Sequence, residues 1–136
     1  MLPALWGRFP PYHHPRYEPL WSVCEELDVV IHWHSGPALV EDYFGGELLG
    51  TGPSLPGAMG IYVSEVVFWC VRPLTFLIWG GVFERHPRLK VAITEGTSIW
   101  VPEYLALLDQ RYSQPHYSQK LGDLRRHLKR RASQYF

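Results

Sequence analysis

Val29-Val30-Ile31-His32-Trp33-His34-Ser35-Gly36 is the stretch on which the rest of the chain is read: an apolar run, two histidines one residue apart, and a glycine. In an extended strand alternate side chains share a face, so His32 and His34 point one way and Trp33 the other, and two imidazoles converge at a strand end. Neutral imidazole ligates zinc-like ions and carries protons near neutral pH, which makes His34 and His32 candidate metal ligands, with Trp33 and Ser35 beside them as candidate substrate contacts. Trp33 would suit an apolar or aromatic substrate and serves equally well as packing. The plain alternative for the histidines is a strand end bonded to neighbouring backbone, because a His-x-His pair lacks the third and fourth ligands of a zinc site.

Outward from this strand, the apolar run Val29–His34 reads as one that a parallel sheet buries on both faces. Before it, Leu20, Val23, Cys24 and Leu27 recur at i, i+3, i+4 and i+7 and predict a helix with Glu25 and Glu26 on its wet side. Residues 1–19 hold prolines at 3, 10, 11, 15 and 19 and no period, which predicts a surface loop, with His13-His14-Pro15 solvent-facing or capping. After the strand, residues 37–60 are rich in glycine and proline and fit no phosphate-binding pattern. A loop of that length is either an active-site loop or lid, or a flexible insertion. Ile61–Val71 and Pro73–Arg85 predict two buried helices, the second stopped by His86-Pro87. Leu89–Thr94 predicts a second strand ending in Glu95-Gly96, and Val101, Tyr104, Leu105 and Leu108 a helix from about Pro102 to Tyr112. The tail, residues 113–136, is polar. Leu121, Leu124 and Leu128 predict a short amphipathic helix whose other side carries Arg125, Arg126, Lys129, Arg130 and Arg131 as a solvated basic face.

The chain of 136 residues is long enough for one domain, and 46% hydrophobic and 15% aromatic content supplies a core. Net charge is zero with a sequence pI of about 7.1, so no global field draws nucleic acid or anionic lipid. Cys24 and Cys70 form no close pair, and the six apolar residues Met1–Trp6 make no secretory signal, so a reduced, cytoplasmic setting is expected. Ala58–Phe83 is long enough to span a bilayer, yet Glu65, Arg72 and Pro73 interrupt it, and the expectation is two soluble helices and no membrane partner. Strands alternating with helices imply an α/β fold with parallel strands. Two strands cannot stand alone as a sheet, and that mismatch makes the chain a single section of a larger α/β barrel.

His14-Pro-Arg-Tyr-Glu-Pro-Leu-Trp-Ser-Val-Cys-Glu-Glu-Leu leading to Ile31-His-Trp-His-Ser-Gly36 resembles the amidohydrolase-related, metal-dependent hydrolases of TIM-barrel fold, a group that includes aminocarboxymuconate semialdehyde and resorcylate decarboxylases. So do Arg72 through Gly96, above all Phe83-Glu-Arg-His-Pro-Arg-Leu-Lys90, then Trp100-Val-Pro and Leu108-Asp-Gln-Arg-Tyr112. The resemblance runs from His14 onward and implies a partial (β/α)8 barrel covering about strands five and six, with the site at the strands' C-terminal ends and Ser133-Gln-Tyr-Phe136 leading to a further strand. It places the family's strand-five metal histidine at His34, with His32 the alternate on the same face. An alignment of His32-Trp-His34 with the strand-one pair is opposed by the flanking segments. Glu95 stands where many members carry a strand-six histidine, and a carboxylate there could act as general base, orient a water or bind metal; a helix cap or an ion pair with arginine is the other reading.

The resemblance implies a metal-dependent hydrolase acting on an ester, lactone or amide of a small molecule, or else a metal-dependent decarboxylase of an aromatic or related carboxylate. The cofactor implied is a divalent ion, zinc first and manganese second, held weakly or not at all by this chain on its own because most of the ligand set is missing. A chain so reduced could instead be a non-catalytic remnant or interaction module, self-associating through open barrel edges.

Overall fold

The structure, a computed structural model, describes residues 1–4, 9–35, 57–114 and 122–136. The expected loop at 37–60 therefore lies outside the described residues up to position 56, and Leu121 of the tail lies outside them too.

Helix α1 is Glu18–Glu26, preceded by a single 3-10 turn, Pro15–Tyr17, which His14 caps by accepting from the Arg16 backbone N–H. Its C-terminus closes through Asp28, which takes φ 55° so that the Val29 N–H reaches the Cys24 carbonyl at 2.9 Å. The expected inner stripe is not the buried one. Leu20, Val23 and Leu27 stay 37%, 49% and 66% exposed, and Trp21 is buried in their place. The reason lies in the proline-rich segment: Tyr12 packs edge-on against Trp21 at 5.7 Å and against Trp33 at 5.6 Å, and its hydroxyl donates to the Pro3 carbonyl at 2.6 Å. The described residues of this segment, 1–4 and 9–19, are thus no mere surface loop. Ala4 and Tyr12 are core residues, and Leu2 pairs in parallel with Trp33, its N–H donating to the His32 carbonyl at 2.8 Å.

Strand β1, Val30–His34, pairs in parallel with strand β2, Lys90–Thr94, in the register Val30 with Lys90 through His34 with Thr94. Between them run α2, Ala58–Glu65, a 3-10 turn, Val66–Phe68, then α3, Val71–Trp79, and α4, Val82–Arg85. The second expected helix is broken in two because Gly81 adopts φ 66° between α3 and α4. Pro73, Leu74, Leu77 and Ile78 of α3 and Val82 and Phe83 of α4 are buried, whereas Ile61, Val63 and Phe68 are about half exposed, so the first of the two apolar helices is not buried as expected. Gly60–Trp79 has the length and composition of a membrane span, a test that buried core helices also pass, and one-third of it is buried.

The apolar run of β1 is buried on one face only. Ile31 and Trp33 point into the core, joined by Val91 and Ile93 of β2, while Val30, His32 and Lys90 of the opposite face are exposed. Helix α5, Val101–Ser113, starts with proline in its first turn as its sequence requires. The tail carries no α-helix among the described residues: 122–131 are irregular with one turn at 124–127, and Ala132–Tyr135 is a 3-10 helix. Two carboxylates hold it instead. Asp109 accepts from the Ser133 N–H and hydroxyl at 3.0 and 2.6 Å, and Glu84 accepts from the Lys129 N–H at 2.9 Å and from the Tyr135 hydroxyl.

Candidate functional site

Parallel pairing brings the C-terminal ends of β1 and β2 to one rim. His34 stands opposite Thr94, and the Ser35 N–H adds a last rung by donating to the Thr94 carbonyl at 3.0 Å. The next residue, Glu95, leaves the strand at φ 57° and turns its carboxylate back across the strand gap, so that Oε2 lies 3.2 Å from His34 Nε2. A non-glycine residue in the left-handed region at a strand end is uncommon and persists only where its surroundings fix it.

The other ring nitrogen settles the tautomer. His34 Nδ1 lies 2.5 Å from the Ser35 carbonyl, an atom that only accepts, so Nδ1 carries a proton. The Nε2 lone pair of a neutral ring then faces a carboxylate oxygen, an arrangement that is repulsive until a proton or a metal cation comes between them. Donor types and spacing both suit a divalent ion: metal–nitrogen and metal–oxygen bonds of about 2.0–2.2 Å, meeting at angles between right and tetrahedral, put their ligand atoms about 2.8–3.6 Å apart. His34 and Glu95 therefore fit half of a four-coordinate shell. Among the described residues no group of three or more His, Cys, Asp or Glu side chains is arranged to complete one.

His32 shares the uncovered face and contacts Thr94, Nδ1 to Oγ1, at 3.0 Å, one residue deeper than the His34–Glu95 pair. Ser35 sits half-buried on the rim, where its backbone carbonyl orients His34. Trp33 is fully buried on the far side of β1 against Tyr12, away from both imidazoles. The arrangement thus joins His34, Glu95 and Ser35, keeps His32 adjacent through Thr94, and sets Trp33 apart.

Sequence reasoning missed Thr94, Gly96 and Trp100. Gly96 is buried directly behind Glu95, and its carbonyl accepts from the Trp100 indole Nε1–H at 2.6 Å. Cys70 lies under the same turn, its thiol donating to the Val67 carbonyl at 3.2 Å and pushed up in pKa by burial. Register gives Thr94 its partner, and register is set by the fold; the spacing Gly96-x-x-x-Trp100 carried no signal of its own.

The family model described as Amidohydrolase matches residues 2–136. Among curated proteins, γ-resorcylate decarboxylase of Rhodococcus jostii (strain RHA1) is 29% identical over 82 residues, which are 60% of this chain and 23% of that protein. The matched stretch is therefore a minor part of the relative's length. With the match running from Leu2 to the last residue, the chain belongs to the amidohydrolase family.

Proposed function

We propose that the chain is a two-strand section of a (β/α)8 barrel and supplies one side of a divalent-metal active site, in which His34 Nε2 and Glu95 Oε2 hold one ion. The observation that carries this reading is the 3.2 Å contact between those atoms at the C-terminal rim, the end of a barrel sheet where chemistry is placed. Support for the barrel comes from the parallel pairing, from the exposed face of Val30, His32 and Lys90, which no helix covers among the described residues, and from the Leu2 bridge on the edge of β1 away from β2. A barrel closes such edges and fills such a face from its own further strands.

The reaction we favour is decarboxylation of a small aromatic carboxylate of the γ-resorcylate type, on the strength of the decarboxylase relative. A divalent ion held at the pair supplies Lewis acidity to the bound substrate's oxygens. The chain's own residues do the rest. Ser35 fixes the His34 ring so that Nε2 stays available. Glu95, whose side chain is 70% exposed to solvent, delivers a proton to the ring carbon as the bond from that carbon to the departing CO2 breaks. Hydrolysis of an ester, lactone or amide is the second reading, favoured by the family's description: Glu95 then takes a proton from the attacking water and returns it to the leaving group.

The test is a Mn2+ titration followed by NMR. Paramagnetic broadening should begin at His34 and Glu95 and vanish in His34→Ala. Broadening centred elsewhere, or unchanged in His34→Ala, defeats the reading. Adding γ-resorcylate to the Zn2+-loaded chain should shift the same rim signals under decarboxylation, whereas a neutral aryl ester shifting them in its place favours hydrolysis.

A further inference from the structure

We propose that Trp100 is the positioning residue that aims Glu95 at His34, an inference that rests on the metal-site reading above. Glu95 belongs to neither β2 nor α5; it sits on the turn between them, and two residues of that turn, Glu95 at φ 57° and Thr97 at φ 45°, take a conformation that side chains disfavour. Such a turn needs external clamps.

Two are present, on either side of Gly96. The Trp100 indole Nε1–H donates to the Gly96 carbonyl at 2.6 Å in a buried setting, where a hydrogen bond is strong and its loss leaves the carbonyl unpaired. From the other side Ile93 and Cys70 close on the Gly96 Cα so tightly that a Cβ there would lie 2.4 Å from Ile93 Cγ2 and 2.5 Å from Cys70 Sγ. Gly96 can thus shift neither toward β2 nor away from α5. The indole ring is itself fixed, edge-on against Tyr104 at 5.9 Å, and Tyr104 is tied to Thr75 of α3 by a hydroxyl–hydroxyl hydrogen bond. The strained turn is thereby referenced to two helices, and the Glu95 carboxylate, fully outside the clamp, inherits that position.

The experiment is a double-mutant cycle on Zn2+ affinity, measured by calorimetry. Groups that orient a ligand typically cost about 10- to 100-fold in metal affinity when removed. Glu95→Gln should weaken Zn2+ about tenfold. Trp100→Phe, which keeps the ring and removes the N–H, should weaken it about five- to tenfold, and the double variant should be no weaker than Glu95→Gln alone within about twofold. Wild-type affinity in Trp100→Phe, or a loss that multiplies with that of Glu95→Gln, overturns the role of Trp100 and leaves the metal pair standing. No loss in Glu95→Gln removes the pair itself and this proposal with it. Should Trp100→Phe not fold, hydrogen exchange in the native chain decides: Zn2+ should slow exchange of the Trp100 indole N–H, by the reciprocity of coupled sites, and unchanged exchange overturns the proposal.

Discussion

Gly81→Ala tests whether the C-terminal tail is packed where the structure puts it. Gly81 lies between α3 and α4 at φ 66°, and a Cβ there would stand 2.4 Å from the His127 carbonyl oxygen and 3.1 Å from the His127 Cβ. The left-handed conformation costs an alanine about 1–2 kcal/mol. The obstructing atom is backbone, so the clash is relieved only by moving the tail several tenths of an ångström, which strains the Lys129 N–H to Glu84 bond at 2.9 Å and the Ser133 bonds to Asp109. Each such bond is worth about 1 kcal/mol. With the equivalent of one or two of these bonds lost, the total is about 2–4 kcal/mol, a large part of the ~5–15 kcal/mol of a typical domain. At a few degrees per kcal/mol for a chain of this length, the thermal midpoint should fall by about 10 °C. Circular dichroism melts and urea titrations read it directly. Gly60→Ala is the control, since nothing lies within 4 Å of its Cβ and it sits inside α2; it should be neutral or stabilise by up to about 1 kcal/mol. If Gly81→Ala unfolds within 0.5 kcal/mol of wild type by the same urea analysis, the tail does not rest on Gly81 and the reasoning fails.

Trp33→Ala should cost about 3–5 kcal/mol in urea titrations, as a fully buried indole in the core. In the fraction that remains folded its Zn2+ affinity should match wild type, because Trp33 points away from the rim; a selective loss of Zn2+ binding would restore it to the site. Acid unfolding should depend on Glu18, Glu25 and Glu84, whose carboxyls are held below the usual range by the Arg85 guanidinium, the Arg88 backbone N–H and the Tyr135 hydroxyl respectively. Their folded pKa values are depressed, so the stability they give is complete above the unfolded carboxylate pKa and disappears as pH falls through the folded values. Glu18→Gln should therefore flatten the acid limb of the stability curve, and an unchanged slope would show that the Glu18 contacts with Arg85 at 2.6 Å and His86 at 2.9 Å contribute nothing.

The elements legible in the sequence were those whose own residues decide them. Helix α5 follows from Pro102 and the apolar spacing after it, and β1 and β2 from short apolar runs that stop at His34 and Thr94. Parallel pairing followed from the helices between them. What stayed hidden depended on partners distant in sequence. The buried side of α1 is chosen by Trp21 because Tyr12 and Tyr17, from a segment without any period, pack against it at 5.7 and 6.0 Å. The tail reads as an α-helix by its leucine spacing, and its Lys129 and Ser133 N–H groups are instead taken by Glu84 and Asp109. At the site, the two strand ends were readable one by one. Their meeting required the register His34 to Thr94 and the left-handed turn at Glu95, and a single chain carries no sign of either.

The most direct measurement is an anomalous difference map from crystals of this chain soaked in Zn2+, collected on both sides of the zinc edge. The account expects a peak on the C-terminal rim within bonding distance, about 2.0–2.2 Å, of both His34 Nε2 and Glu95 Oε2. A peak bound elsewhere, with His34 and Glu95 still joined directly, would contradict it.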